Sequence, residues 1–166
     1  MNEVFNEVID NRGKTPPLSD SGIPLIEIAS VGEHEVDYDS VSKFLSDETF
    51  NNNLRDYLSD GDILFSTVGT TALTSRYNSM RKAAVAQNII GLRSTTFYPS
   101  YSHYLLSNKE NSSRIKSIQM TGVQYSIKVP QLLNVTLLAT KNYKEQVRIG
   151  TVLSSLDNLI TLHQRK

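Results

Sequence analysis

Cysteine is absent from the 166 residues. That excludes a disulfide framework, a thiolate metal site and a cysteine nucleophile. No apolar run approaches the roughly 20 residues of a membrane span. The N-terminal MNEVFNEVIDNRGK is acidic and mixed, unlike a secretory signal. A soluble, cytoplasmic protein is therefore expected, with no membrane partner.

Catalytic signatures are also missing. Gly13-Lys14-Thr15 has the end of a phosphate-binding loop, but Val8 stands where its first glycine belongs, and Pro16 and Pro17 follow where a helix should start. Thr15-Pro16-Pro17-Leu18 lacks the amide or carboxylate and the ring of an amino-methyltransferase tetrapeptide. There is no glycine-rich nucleotide loop, no Asp-x-Lys or Glu-x-Lys triplet of a metal-dependent nuclease, and no Gly-x-Ser-x-Gly elbow. His34, His103 and His163 are far apart and never at i, i+4, so no metal site is expected. Asp157 has no catalytic partner in view. The chain reads as a binding module rather than an enzyme.

The length fits one domain, or one with an appendage. The net charge is zero but unevenly placed. Residues 1–62 carry four basic and fourteen acidic side chains; residues 63–166 carry thirteen basic and three acidic. The basic portion could face a polyanion. Alternatively, the two portions pack together and neutralise each other.

Turn residues crowd positions 11–24. Strands are expected at 23–31, 63–69, 83–93, 123–129 and 132–140. Ser46 is placed to cap a short helix over 47–58, with Asp47 and Glu48 at its positive end. Residues 69–82 read as a polar loop, and 101–106 and 112–120 as helices. The expected fold class is α+β: a mixed sheet or half-barrel over 1–142, then one long coiled-coil-forming helix over 143–166.

That last helix is the strongest signal. Ile149, Val152, Leu156, Leu159 and His163 recur at steps of three and four, with Leu153 and Ile160 alongside. About 22 helical residues span roughly 33 Å, more than a small domain needs for its core. Ile149 and Val152 could pack on their own domain; Leu156 to Ile160 are expected to meet another helix.

Four segments, in order, resemble one target-recognition domain and spacer helix of the specificity subunit of type I restriction–modification systems. They are RGKTPPLSDSGIPLIEIASV (12–31), GDILFSTVGTTA (61–72), AVAQNIIGLR (84–93), and GVQYSIKV (122–129) followed by KEQVRIGTVLSSLDNLITLHQRK (144–166). The resemblance implies a non-catalytic reader of one half of a split DNA target. It implies methyltransferase subunits that clamp the assembly, a restriction subunit in the complex, and S-adenosylmethionine as the methyltransferase's cofactor, with none for this chain. It further implies a helix that pairs with a second one, in a homodimer or with another recognition domain. The chain departs from the family in carrying one recognition domain where a complete subunit has two, so it reads as a half-subunit, a truncation or a unit that dimerises. It also has LLATKNY (137–143) where a proline-rich stretch is usual.

Candidate DNA contacts follow. Ser66, Thr67, Gly69, Thr70 and Thr71 are small groups that let backbone approach a phosphate or base edge; an ordinary surface loop is the alternative. Gln87 and Asn88 carry amides able to bond adenine bidentately, or to tie a sheet to a loop. Strand alternation would let only one of the two face DNA. Gln124 and Tyr125 pose the same choice, and Tyr125 could equally belong to the core. Arg76, Arg81, Lys82 and Arg93 are candidates for phosphate contacts or for a solvated face. Lys14 and Thr15 follow a tight turn and either touch DNA or only shape the turn.

Overall fold

A computed structural model describes residues 1–164; the last two residues of the expected 143–166 helix lie outside it. In chain order the strands and helices begin with β1 (Glu7–Ile9), β2 (Ile23–Ile26), β3 (Phe44–Leu45) and α1 (Asp47–Asn53). Then come β4 (Ile63–Ser66), β5 (Thr74–Arg76), β6 (Ala84–Val85) and β7 (Ile89–Arg93). The helices α2 (Pro99–Ser107), α3 (Lys109–Lys116), α4 (Val129–Leu133) and α5 (Tyr143–Gln164) complete the series.

Period-two alternation builds layers from these short strands. One antiparallel sheet has the order β1-β7-β4-β5, and a second has β3-β2-β6, with β2 and β6 parallel. On the first sheet, Ile63, Phe65, Ile90 and Leu92 point to a core shared with the helices. Their neighbours Ile9, Leu64 and Ile89 point the other way, onto Ile26 and Val85 of the second sheet. The opposite face of that sheet places Leu25, Leu45 and Ala84 on Phe50 of α1. β4 and β7 are thus covered on both sides, which is why both read as nearly unbroken apolar runs. The α+β class with mixed pairing is as expected.

Helix starts follow local chemistry. The Ser46 hydroxyl accepts from the Thr49 N–H at 3.1 Å and caps α1. Pro99 opens α2, where a missing N–H costs nothing. The Asn142 side chain accepts from the Lys144 and Glu145 N–H groups and starts α5.

Several expectations fail for identifiable reasons. The expected strand at 83–93 is two strands separated by a turn at Gln87–Asn88. Residues 74–76 of the expected polar loop form β5, because Ser75 and Thr74 pair with Leu64 and Phe65. Residues 123–129 form no strand: Ser126 bridges Met120 and Val68 singly, and 121–125 stand in solvent. The stretch 132–140 starts as the end of α4, entered through Pro130. Its extended part is bonded by an amide rather than a strand. Buried Asn111 donates to the Leu138 carbonyl at 3.2 Å and accepts from the Leu138 N–H at 2.8 Å. β1, unforeseen, adds Val8 and Ile9 beside β7.

The long helix is docked through its first half. Gln146 is 1% exposed; its side chain accepts from the Tyr98 N–H at 3.0 Å and donates to the Thr140 carbonyl at 2.9 Å. At Gly150 the helix crosses α2 so closely that a Cβ would stand 2.8 Å from the Tyr101 nitrogen and 2.9 Å from the Tyr98 ring. Ile149 packs on the helix-side core, and Leu153 is half-buried. Val152, expected on that inner face, is instead 58% exposed; Leu156, Leu159 and Ile160 are 49%, 57% and 54% exposed.

Candidate functional site

The loop residues meet at one end of the first sheet, where Ser66 pairs with Ile89. β4 ends at Ser66, and the chain turns back into β5 through residues 67–73. Ser66 and Thr67 are fully buried. The Ser66 hydroxyl donates to the Thr70 carbonyl at 2.7 Å and accepts from the Leu73 N–H at 2.8 Å. The Thr67 hydroxyl donates to the Asn88 carbonyl at 3.1 Å. Both side chains hold the loop from within. Gly69 takes φ +82°, a left-handed turn that a side chain would strain, and its N–H donates to the Tyr125 carbonyl at 2.9 Å. Thr70 is exposed, while Thr71 is 9% exposed.

The turn beside this loop carries the two amides. Because Gln87 and Asn88 lie in a turn, alternation does not separate them, and both are exposed. Their roles differ. The Gln87 side chain accepts from the Gly13 N–H at 3.0 Å and donates to the Lys14 carbonyl. It therefore fixes the Gly13–Thr15 loop across the sheet edge. Asn88 binds Thr67 through its backbone only and leaves its amide in solvent. Lys14, Thr15, Gln87 and Asn88 line one cleft of about 210 Å³.

The third part is the 120–126 loop. Reciprocal bonds between Met120 and Ser126, at 2.8 and 3.1 Å, close its base, and Ile127 donates to the Thr67 carbonyl. Above that base Thr121, Gly122, Val123, Gln124 and Tyr125 all stand exposed. Val123 is as open as a free side chain. Exposed groups therefore run from Lys14 and Thr15 through Gln87 and Asn88 to Thr70, Gln124 and Tyr125. Val123 was not foreseen; its signal was an apolar residue following a turn glycine in a polar context.

The cations fall into two groups. The Arg93 guanidinium donates to both Asp62 oxygens at 2.9 and 2.8 Å, to Glu7 at 3.0 Å and to the Tyr57 carbonyl at 2.9 Å. Asp62 is 1% exposed, and burial pushes its carboxyl up even with Arg93 beside it. Arg76 is paired with Glu35 at 2.6 Å, and Lys141 with Glu3 at 3.2 Å. In each of these pairs the base comes from the basic portion and the acid from residues 1–62, so the two portions do neutralise each other in part. Arg81 and Lys82 are exposed. The Lys82 ammonium stands 4.6 Å from the Tyr57 ring centre, a cation–π contact.

The fold also brings together residues that are far apart in sequence. His34, His103, Tyr104 and Asp157 meet where α5 leaves the domain. The Tyr104 hydroxyl donates to Asp157 at 2.7 Å, and the His34 Nδ1 lies 3.6 Å from the same oxygen. His103 is 7% exposed, and burial drives its pKa down to about 4. Burial also lowers that of His34. Among the described residues no group of three or more His, Asp or Glu side chains could hold a metal ion.

No protein-family model matches the chain, and no curated protein does. Solved structures match. A chain from a type I R-M system, solved to explain its complex assembly and conformational transition, superimposes with TM-score 0.71 at 17% identity. The match covers 99% of this chain and 38% of that one. The HsdS subunit from Thermoanaerobacter tengcongensis gives 0.65 at 18% identity, over 99% and 37%. The S subunit of a type I system from M. genitalium gives 0.61 at 14% identity, over 95% and 37%. This chain has the fold of part of these subunits and spans under two fifths of their length.

Proposed function

We propose that this chain is a non-catalytic DNA reader of a type I restriction–modification system, directing methyltransferase subunits to one half of a bipartite target. The observation that carries the reading is the exposed strip from Lys14 to Tyr125, built on a fold shared with S subunits. Asn88 and Gln124 offer amides to base edges, Thr70 and Thr15 offer hydroxyls, and Val123 offers an apolar contact for a thymine methyl. Lys14, Arg81 and Lys82 supply phosphate contacts. Ser66 and Thr67 hold its loops from within, and Gln87 ties down the Gly13–Thr15 loop from the surface; Arg93 lies at the other end of β7 and holds Asp62 and Glu7. The exposed stripe Val152, Leu156, Leu159 and Ile160 pairs with a second helix, from another copy or another recognition domain.

The test is a duplex selection followed by binding measured across salt concentrations. A cognate site whose log affinity falls linearly with log salt supports the reading. No enriched site in any selection, or an affinity indifferent to salt, refutes it.

A second reading is that the chain assembles through α5 and binds methyltransferase subunits without useful DNA affinity. The ion pairs that consume Arg76, Arg93 and Lys141 favour it. Capture of the methyltransferase subunit with no cognate duplex found would support this second reading.

A further inference from the structure

The first half of α5 is held by buried Gln146, by Ile149 in the core and by the close crossing at Gly150. Gly150 meets the backbone of Tyr101 with no room for a Cβ. All three anchors lie at or before the crossing and leave the direction of the last turns to contacts further along. Such a contact lies seven residues further on, about 10 Å along the axis. There Asp157 accepts from the Tyr104 hydroxyl at 2.7 Å and faces the His34 Nδ1 at 3.6 Å. Ser154 places its hydroxyl 3.4 Å from the other nitrogen of His34. The His34 ring stacks on Tyr104 at 5.1 Å and meets the edge of buried His103 at 4.8 Å. No hydrogen bond or ion pair among the described residues joins a side chain beyond Asp157 to the rest of the domain.

We infer that Asp157 is a positioning residue: bonded to the Tyr104 hydroxyl and lying beside the His34 ring, it sets the direction in which the free end of α5 leaves the domain. A directional hydrogen bond suits this task, because an apolar contact at the same place would tolerate sliding and rotation. The packed rings of His34, Tyr104 and His103 give the clasp a rigid backing. The lever is short but effective. A 20° swing about the Gly150 crossing, the ordinary scatter of helix packing angles, moves Thr161 by about 6 Å. The consequence, a fixed separation between two DNA half-sites, rests on the reading proposed above. The direction of the helix does not.

The chain has no cysteine, so spin labels can be placed at will. Lys109→Cys and Thr161→Cys, both exposed positions, give one distance across the joint, measured by pulsed electron resonance without DNA. The unaltered clasp should give a narrow distribution. Asp157→Ala and Tyr104→Phe should each broaden or displace it by about 6 Å, the swing estimated from the lever. Asp157→Asn keeps an acceptor for Tyr104 and should restore most of the narrow distance. The melting midpoint reports the fold of each variant separately. The inference is overturned if Asp157→Ala and Tyr104→Phe both leave the distribution unchanged, or if Asp157→Asn broadens it as much as Asp157→Ala. Loss of cognate DNA binding with a narrow distance would count against the DNA reading alone.

Discussion

Arg93→Met separates a structural from a DNA-binding role for the most heavily engaged cation of the chain. Its guanidinium holds Asp62, Glu7 and Tyr57 at once, and Asp62 is 1% exposed. Removing the guanidinium leaves Asp62 with the Ser59 N–H at 2.8 Å as its remaining side-chain donor. Stranding a buried charge in this way costs about 3–5 kcal/mol, a large share of the roughly 5–15 kcal/mol of a typical domain. Urea unfolding at pH 7 should show that loss. The deficit should shrink on acidification. Without Arg93 the folded-state pKa of Asp62 rises further above its unfolded value, so the penalty is full at high pH and relieved as the carboxyl protonates. The double change Asp62→Asn, Arg93→Met should recover much of the stability, since no charge is then left unpaired. If Arg93→Met lost less than about 0.5 kcal/mol, the spread of neutral surface changes, and instead weakened duplex binding, Arg93 would be a phosphate contact and the structural reasoning would be wrong.

Other outcomes follow from the same geometry. His103, held neutral by burial with a pKa of about 4, should make stability fall as pH drops from about 6.5 to 4. The unfolded chain binds the proton first, and the loss approaches about 3 kcal/mol; pH-dependent melting should show a flatter slope for His103→Phe. Gly150→Ala drives a methyl into Tyr101 and Tyr98 and should cost about 1–3 kcal/mol in urea unfolding. If α5 pairs with a second copy as proposed, Leu156→Glu charges the exposed stripe and should lower the mass seen by light scattering; an unchanged mass would remove the helix as an assembly surface. Gln87→Ala releases the Gly13–Thr15 loop and should raise hydrogen exchange at Gly13, whereas Asn88→Ala should leave that exchange unaltered and weaken only duplex binding.

Much of the fold was legible because local signals agreed with it. Ser46 and the terminal stripe announce helices whose starts depend on neighbouring residues. The apolar runs at 63–66 and 89–93 announce strands buried on both faces. Residues 123–140 misled because β-branched composition reports burial as well as strand. Ile127, Leu132 and Val135 are buried one at a time, and a single amide, Asn111, takes the place of a partner strand. The loop candidates were legible as a group, yet nothing local told Ser66, whose hydroxyl is turned inward, from Thr70, whose side chain is not.

The sequence by itself determined the α+β class, the charge split, the long terminal helix and the absence of catalytic motifs. All of these depend on composition or on residues within a few positions of one another. Tertiary structure alone decided which candidates face solvent, which cations are neutralised, and that His34, Tyr104 and Asp157 meet at the root of the helix. Such contacts join residues that chain connectivity does not relate. Only the packing of sheets against helices brings them into contact.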